Sequence, residues 1–346
     1  MSEHNGQCIV DDRSHGQIGR VTRECLETAV LAPSVHNSQP WRFRVHPRGI
    51  DVLVDRSRQL AVIDPGGREL LISVGAAVLN LRVAILGHGR VPILRVLPDR
   101  GEPDLVARVT LGPVAVPDPT VHALLAAIPR RHTNRRPFTA AAVPRAVTDE
   151  LVAAAAAEGA TLAITDPIGR DAILGLAATA EEWQRAEAGY RDELTSWTVP
   201  PYGRHDGVPA HAFGPHDRYE SVPLRDFALT QPELHRRDAT FEAHPTVLVL
   251  RTTGDGPRDW QVRSTSVDLW AERRLTRGRY QHGSARYRPR VRAHGPDVAA
   301  GPPPGAPPPC RIAAAVAPTP SPPPAAWRRP RCGRASGGRI RTGRAA

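Results

Sequence analysis

The first third of the chain alternates between helix-like and strand-like spacing of apolar residues. Apolar side chains recur at helical spacing through residues 19–31, and Pro33 ends the pattern, so this stretch is predicted to be a helix. Residues 42–45 and 50–55 alternate apolar and polar positions, which is typical of strands, and residues 46–49 supply a turn between them. The pattern therefore predicts a helix followed by a β-hairpin.

The longest apolar stripe of the chain lies in residues 67–87. Its members are Leu70, Leu71, Val74, Ala77, Val78, Leu81, Ala84 and Ile85. A helix this apolar is predicted to be a central core element at an interface between two halves. Residues 91–97 and 105–111 follow as two further strands. Residues 19–112 thus form a predicted α+β unit of helix, hairpin, long helix and hairpin.

The pattern continues after a proline-rich link at residues 113–119. Helices are expected at 120–128, 146–158 and 168–197, and strands at 161–165 and 245–251. The last of these helices is predicted to turn inward Leu174, Leu176, Ala177, Ala180 and Trp183. Residues 198–244 are rich in Pro, His and Gly and carry scattered aromatic residues. A span of this length without regular structure is usually functional or disordered, and its aromatic residues favour an ordered lid over a site.

Charge is distributed unevenly along the chain. The formal net charge is +11, and all 46 basic residues are arginine. Residues 261–346 hold 17 arginines against three acidic residues, whereas the first 260 residues hold 29 arginines against 32 acidic ones. The body is therefore mildly acidic. It shows no basic face with interleaved aromatic residues, which argues against a nucleic-acid partner.

Residues 261–346 differ in character from the rest. They contain 14 of the 36 prolines, and apolar periodicity ends after Trp270. A chain that cannot bury an apolar face cannot offset its ordering entropy, so this tail is predicted to be disordered. Its Arg, Pro, Ala and Gly bias is what GC-rich DNA encodes out of frame, which suggests a frameshift close to codon 260. The competing hypothesis is a genuine Arg/Pro-rich tail that binds anionic surfaces.

The remaining composition limits the class of protein. Four cysteines lie far apart without a C-x-x-C pair, which fits a reducing compartment. The N-terminus has neither the basic nor the apolar region of a signal peptide, and no run of about 18 apolar residues is present. We therefore expect a cytoplasmic protein without a membrane span. His205, His211 and His216 lack the spacing of metal ligands, and no metal site is expected.

The segment 31–41 carries the first candidate chemistry. Pro33 and Pro40 stiffen a loop that presents the hydroxyl of Ser34 and the amides of Asn37 and Gln39. Because amides both donate and accept, such a loop suits a planar, hydrogen-bonding heterocycle. The alternative is a purely structural loop that buries Trp41.

The second candidate stretch is residues 130–138, with four arginines within seven residues. Like charges this close repel one another unless an anion lies among them, and guanidinium groups suit phosphate. The alternative is a solvated basic loop. Within the stretch, Thr133 lies between Arg131 and Arg135, and Phe138 closes it.

Both motifs resemble those of the nitroreductase-like family, most closely its Acg-type FMN-binding branch. The Ser34 to Trp41 segment resembles the flavin-contacting loop, and Arg131, Thr133 and Arg135 resemble the motif that holds the flavin phosphate. His132 replaces the family's usual arginine, the spacing to Phe138 is one residue longer, and the lysine contacts of many nitroreductases are absent. The resemblance covers residues 19–260.

The resemblance implies a nitroreductase-like α+β fold with two diverged half-domains fused in one chain. The predicted division is a flexible N-terminus at 1–18, a first half at 19–115, an incomplete second half at 116–260 and the tail at 261–346. Nitroreductases are generally homodimers with FMN at the subunit interface. A fused pseudo-dimer, monomeric or again paired, would hold one FMN, with Ser34, Asn37 and Gln39 at the isoalloxazine edge and Arg131, Thr133 and Arg135 at the phosphate.

The function that follows from the resemblance is an FMN-dependent oxidoreductase. It would pass electrons from NAD(P)H to a nitroaromatic, quinone or similar small acceptor, without a catalytic side-chain acid or base. Two alternatives stay open. One is a non-catalytic FMN-binding or FMN-storing protein whose lid, at residues 198–227, is closed over the flavin. The other is an inactive frameshifted product.

Overall fold

The computed structural model describes residues 19–138, 141–198, 205–219, 222–231, 233–262 and 313–314. Its first part contains a four-stranded antiparallel sheet with the strand order β1-β2-β4-β3, packed against two helices. The elements are α1 (Arg20–Ala29), β1 (Trp41–His46), β2 (Gly49–Val54), α2 (Arg68–Gly87), β3 (Arg90–Val96) and β4 (Leu105–Val114). The predicted order of helix, hairpin, long helix and hairpin is confirmed.

Helix α2 is the centre of this part, because it is buried on nearly every side. The carboxylate of Asp64 accepts a hydrogen bond from the backbone N–H of Leu70 at 2.8 Å and so satisfies one free donor of the first turn. The main hydrophobic cluster joins α2 to α1 and to the inner face of the sheet, with Phe43, Val52 and Val109 almost fully buried. This arrangement confirms the prediction of a core helix.

By length and composition α2 could also cross a membrane, although the sequence predicted no membrane span. It is one such helix among the described residues, and 72% of its most apolar stretch is buried inside the protein. A core helix passes the same test, so the observation is weak evidence for a span.

The second part is mixed as well. Its helices are α3 (Pro119–Ala127), α4 (Arg145–Ala157), α5 (Pro167–Ala186), α6 (Tyr190–Thr198) and α7 (Pro257–Val262). Its strands are β5 (Thr161–Ile164), β6 (His216–Asp217), β7 (Asp238–Ala239), β8 (Val247–Arg251) and β9 (Ala313–Ala314). Strand β8 pairs antiparallel with β5 and parallel with β9, and β6 pairs parallel with β7. The chain is therefore of the α+β class. Disorder was predicted for the tail. Apart from the two residues of β9, residues 263–346 lie outside the described part of the chain.

The helix predicted at 168–197 is in fact two helices. Helix α5 ends at Ala186, and Gly189, with a φ of 84°, reverses the chain before α6 begins. Ala177 and Ala180 do face inward as predicted. Leu176 and Trp183 do not, with exposures of 67% and 69%, because they lie on a neighbouring face of α5 that the described residues leave exposed.

The predicted lid segment is packed against the body. We call residues 205–219 and 222–230 the cover segment. Phe213 and Phe227 are buried in a cluster with Tyr190 and Leu194 of α6, whereas Tyr219 is exposed. Gly207 has a φ of 82°, and a Cβ there would lie 2.6 Å from the carbonyl oxygen of Trp197, so only glycine fits this close approach. Tyr202 lies outside the described residues.

Candidate functional site

The loop between α1 and β1 has an unusual backbone. A single 3₁₀ turn spans Val35–Asn37, and His36, Asn37 and Gln39 have φ values of 52°, 53° and 50°. Left-handed conformations at residues other than glycine cost free energy and cluster at binding sites. The Ser34 hydroxyl accepts a hydrogen bond from the Gln39 N–H at 2.9 Å, which fixes the turn from inside.

Both amides of this loop hold the cover segment. The Asn37 side-chain NH₂ donates to the carbonyl oxygens of His205 (3.3 Å) and Gly207 (3.0 Å), and the Gln39 NH₂ donates to that of His205 (3.2 Å). Arg58 adds a charged contact, because its Nη1 lies 2.8 Å from the Ser38 carbonyl oxygen and 2.6 Å from the carboxylate of Asp206. The loop between α1 and β1 thus packs against the cover segment, and we call this contact the seam.

A cavity of about 360 Å³ lies in this seam. Helix α5 forms one wall with residues spaced as one helical face, and the loop and the cover segment form the others. The lining residues are Ser34, Val35, His36, Arg135, Ala177, Ala180, Glu181, Gln184, Pro223, Arg225 and Phe227. The cavity therefore joins Ser34 of the first sequence motif to Arg135 of the second, about 100 residues apart in the chain.

His36 is the most buried polar residue at this cavity, with 5% of its surface exposed. Its Nε2 lies 2.9 Å from Nη1 of Arg225. A guanidinium can only donate, so Nε2 accepts and the ring proton belongs on Nδ1. Burial, then the positive charges of Arg225 and Arg135, lower the pKa of His36 to about 3, so the ring is neutral at physiological pH. Nδ1 is buried without a hydrogen-bond partner among the described residues.

Two arginines line the same cavity. The Arg135 guanidinium lies over the ring of Phe227 at 4.8 Å from its centre and donates to the Ala212 carbonyl oxygen at 3.1 Å. Burial and the charge of Arg225 lower the pKa of Arg135. Arg225 donates to Oε1 of Gln184 at 3.0 Å, and its Nε lies 3.8 Å from the carboxylate of Glu181. Two guanidinium groups thus face one lining carboxylate, which gives the cavity a positive balance.

Comparison with known proteins gives several relatives, all from Mycobacterium tuberculosis, and no family model matches the chain. The chain is 36% identical over 197 residues to "Putative NAD(P)H nitroreductase Rv3131", a match that covers 57% of this chain and 56% of that protein. It is 30% identical over 244 residues to "Uncharacterized protein Rv3127", covering 68% and 70% of the two chains. The match to "Putative NAD(P)H nitroreductase acg" is 26% identical over 189 residues, or 55% and 57%.

The chain is thus similar to proteins named as NAD(P)H nitroreductases. Its match spans only slightly more than half the length of Rv3131 and of acg. These relatives support the nitroreductase-like family that the two motifs resemble in the sequence, and they do not distinguish its Acg-type branch.

The structure of this nitroreductase-like chain distributes the six predicted site residues over three places. Ser34 and Arg135 line the cavity. Asn37 and Gln39 lie at the seam, with their NH₂ groups on the cover segment. Arg131 is half-buried and Thr133 is exposed, and neither lines the cavity. The two motifs therefore converge, but only one residue of each reaches the same space.

Several cavity residues carry no signal in the sequence. His36 lies inside the recognised loop, but its burial depends on Phe227, whose ring contacts it edge-on at 5.3 Å between centres. Arg225 lies in the irregular segment after α6, and Gln184 is one of several polar residues on α5. Such residues are brought together only by the packing of α5 and the cover segment against the loop. Among the described residues, no group of three or more His, Cys, Asp or Glu side chains could hold a metal ion.

Proposed function

We propose that this chain is an NAD(P)H-dependent flavin oxidoreductase whose FMN binds at the seam. The observation that carries the proposal is the cavity that brings Ser34 and Arg135 together from two separate motifs. The names of the relatives Rv3131 and acg support NAD(P)H as the electron donor. The acceptor class that we propose is a nitroaromatic, a quinone or a similar small molecule.

The cavity residues fit a flavin in volume and in chemistry. About 360 Å³ lies within the usual range of small-molecule sites. The lining offers guanidinium donors from Arg135 and Arg225, which suit a phosphate, and apolar walls from Ala177 and Phe227, which suit a ring system. Nδ1 of His36 and Nε of Arg225 are buried donors without a hydrogen-bond partner among the described residues. Such unsatisfied groups favour a ligand rich in acceptors.

The chain's own residues would bind and orient. Arg135 would hold the phosphate, and Arg131 and Thr133 would join it if the stretch around them closed inward. Ser34 would lie at the ring edge. Because the NH₂ groups of Asn37 and Gln39 are bonded to the cover segment, their contact with the ring requires that segment to move. FMN, when bound, would supply the hydride and electron transfer, and no side-chain acid or base is assigned.

We also propose the organisation into two fused half-domains, 19–115 and 116–260, with a frameshift near codon 260. The exposed face of α5 supports an incomplete second half, since Leu176 and Trp183 lie where a further element would pack. Resequencing the gene around codon 260 tests the frameshift. Tail peptides from an intact reading frame, identified by mass spectrometry, would refute it.

The function is tested by a visible spectrum of the desalted protein followed by anaerobic addition of NADPH. We expect a flavin spectrum that NADPH bleaches. Dithionite serves as the control for complete reduction. A flavin spectrum that NADPH leaves unchanged but dithionite bleaches would contradict the oxidoreductase and favour a flavin-storing protein. Soluble protein that takes up no added FMN would contradict flavin binding itself.

A further inference from the structure

We infer that the seam cavity is an oxyanion site and that Arg225, together with Arg135, binds the oxyanion. This inference deepens the proposed function, on which it rests for the identity of the larger ligand. Arg225 belongs to neither sequence motif, and it reaches the cavity from the cover segment, opposite the loop that carries Ser34 and His36.

The side chains that line the cavity carry more positive than negative charge. Arg135 and Arg225 line one small cavity, and Glu181, 3.8 Å from Nε of Arg225, is the carboxylate that lines it with them. Glu69 of α2 is a second, more distant negative neighbour of Arg225, and it lies outside the lining. His36 is neutral and offsets nothing. The Arg225 side chain is 28% exposed, so water screens part of this excess positive charge, and a bound anion offsets the rest.

The buried polar atoms of the cavity that lack partners are donors. Gln184 Oε1 and Nε2 of His36, two acceptors at the cavity, are already used by Arg225. The side-chain atoms of the lining that are buried without hydrogen-bond partners in the described part of the chain are Nε of Arg225 and Nδ1 of His36, and both donate. A group that only accepts, such as a phosphate or a carboxylate, complements a site with surplus donors.

The cavity is apolar on one side and charged on another. Ala177, Ala180, Pro223 and Phe227 give the cavity apolar walls beside the charged corner. The ligand therefore has an oxyanion head on a less polar body. That description fits the phosphate of FMN and also the carboxylate of an aromatic second ligand, so the chemistry is shared and the experiment must separate the two sources.

The experiment compares FMN with riboflavin, which lacks the phosphate, by fluorescence titration of wild type, Arg225→Gln and Arg218→Gln. Arg218 is exposed and lies in the same segment, so its variant matches the change in charge. We expect Arg225→Gln to weaken FMN binding about tenfold to a hundredfold, leave riboflavin binding within about twofold, and Arg218→Gln to change neither. This outcome identifies the flavin phosphate as the oxyanion.

A second arm measures benzoate and inorganic phosphate binding to the flavin-loaded protein by calorimetry. If the preference for FMN survives in Arg225→Gln but benzoate or phosphate binding is lost, the oxyanion belongs to a second ligand. If Arg225→Gln alters neither arm, the inference is wrong. Should wild type bind no flavin at all, the proposed function fails, and inorganic phosphate binding to the flavin-free chain, lost in Arg225→Gln and kept in Arg218→Gln, still decides the inference.

A variant that does not fold is covered by two further measurements. Arg225→Lys keeps the charge but loses the planar fork, so we expect it to fold and to retain part of the preference for FMN. In wild type freed of flavin, inorganic phosphate is expected to raise the thermal midpoint above that in chloride of equal ionic strength. An equal midpoint in both salts overturns the inference without any variant.

Discussion

At the scale of single residues, His36 combines a left-handed backbone, near-complete burial and a neutral ring. The turn imposes the φ value, and Phe227 and the cover segment exclude water. This burial, together with the charges of Arg225 and Arg135, opposes protonation of the ring. The ring is thus a fixed neutral group in positive surroundings, and its Nε2 holds the cover segment through Arg225.

The neutral state of His36 makes stability depend on pH. The folded pKa of His36, about 3, lies below its ordinary 6.5, so between these values the unfolded state binds the extra proton and stability falls as pH falls. From pH 7 to pH 5 we expect His36 to lower the free energy of unfolding by about 2 kcal/mol. Urea unfolding at both pH values measures it.

The matched variant is His36→Gln, whose amide oxygen can still accept from Arg225 but does not titrate. The carboxyls of Glu69 and Asp64, whose pKa values burial raises, act in the opposite direction in both proteins and cancel in the comparison. An equal pH dependence in wild type and His36→Gln would show that folding does not lower the pKa of His36.

Gly214 controls the position of Arg135. Its φ is 81°, and a Cβ there would collide with the carbonyl oxygen of Arg135. Gly189 has a similar φ of 84°, but a Cβ there meets only a side-chain atom of Val62 at 3.4 Å. We expect Gly189→Ala to cost about 1–2 kcal/mol and Gly214→Ala at least about 1 kcal/mol more. Urea unfolding checks both, and equal losses would mean that the backbone of Arg135 can yield.

At the scale of elements, the seam depends on the contact between the loop and the cover segment. Asp206 is held by Arg58 at 2.6 Å, and its side chain is only 9% exposed. The Arg58 side chain is 27% exposed, so solvent screens part of this pair. Asp206→Asn removes the charge and keeps the shape, and we expect a loss of about 1–2 kcal/mol that is concentrated in the cover segment.

Amide hydrogen exchange locates this loss. The N–H groups of Gly207 and Val208, which donate to the carbonyl oxygens of Asn37 and Trp197, should exchange faster in Asp206→Asn, while those of α2 should not change. Glu233, which is exposed, supplies Glu233→Gln as a control for the removed charge. Uniformly faster exchange would indicate that Asp206 stabilises the whole protein and not the cover segment in particular.

The regular elements were largely predictable from the sequence, because apolar spacing reports the local backbone period. The stripe in α2 and the hairpin of β1 and β2 were placed within a few residues. The division of α5 from α6 was missed, since Gly189 lies inside a helix-compatible pattern and its positive φ is not visible in the sequence. The inward face of α5 was also assigned partly wrongly. The spacing of apolar residues shows which of them share a face, but it does not show which face another element covers.

At the scale of the whole molecule, the two parts differ in their cores. One cluster of 20 buried residues joins α1, α2 and the four-stranded sheet, whereas the cluster around β5 and β8 has five buried members. Because burial of apolar area drives stability, the first part should outlast the second under denaturant.

We therefore expect the amides of β2 to remain protected from hydrogen exchange at a urea concentration that exposes those of β5. The comparison needs no variant, since both strands report within one protein. Simultaneous loss of protection in β2 and β5 would show that the two parts unfold as one cooperative unit.

The candidate site was predictable only in part at this scale. Ser34 and Arg135 were found because each lies in a dense local motif that resembles a known family. Arg225, Glu181 and Gln184 were not, since their role arises from the meeting of α5 with the cover segment, over separations in sequence of about 40 residues and more. Local patterns carry no information on which distant surfaces will meet.

The left-handed residues of the loop have a consequence for how this protein could be changed. Glycine adopts positive φ without cost, so Gln39→Gly relieves a backbone that an L-residue holds at an expense of about 1 kcal/mol. The same replacement removes the amide that bonds to His205. Backbone stability therefore favours glycine at position 39, whereas the hydrogen bond to the cover segment favours glutamine, which is the residue present.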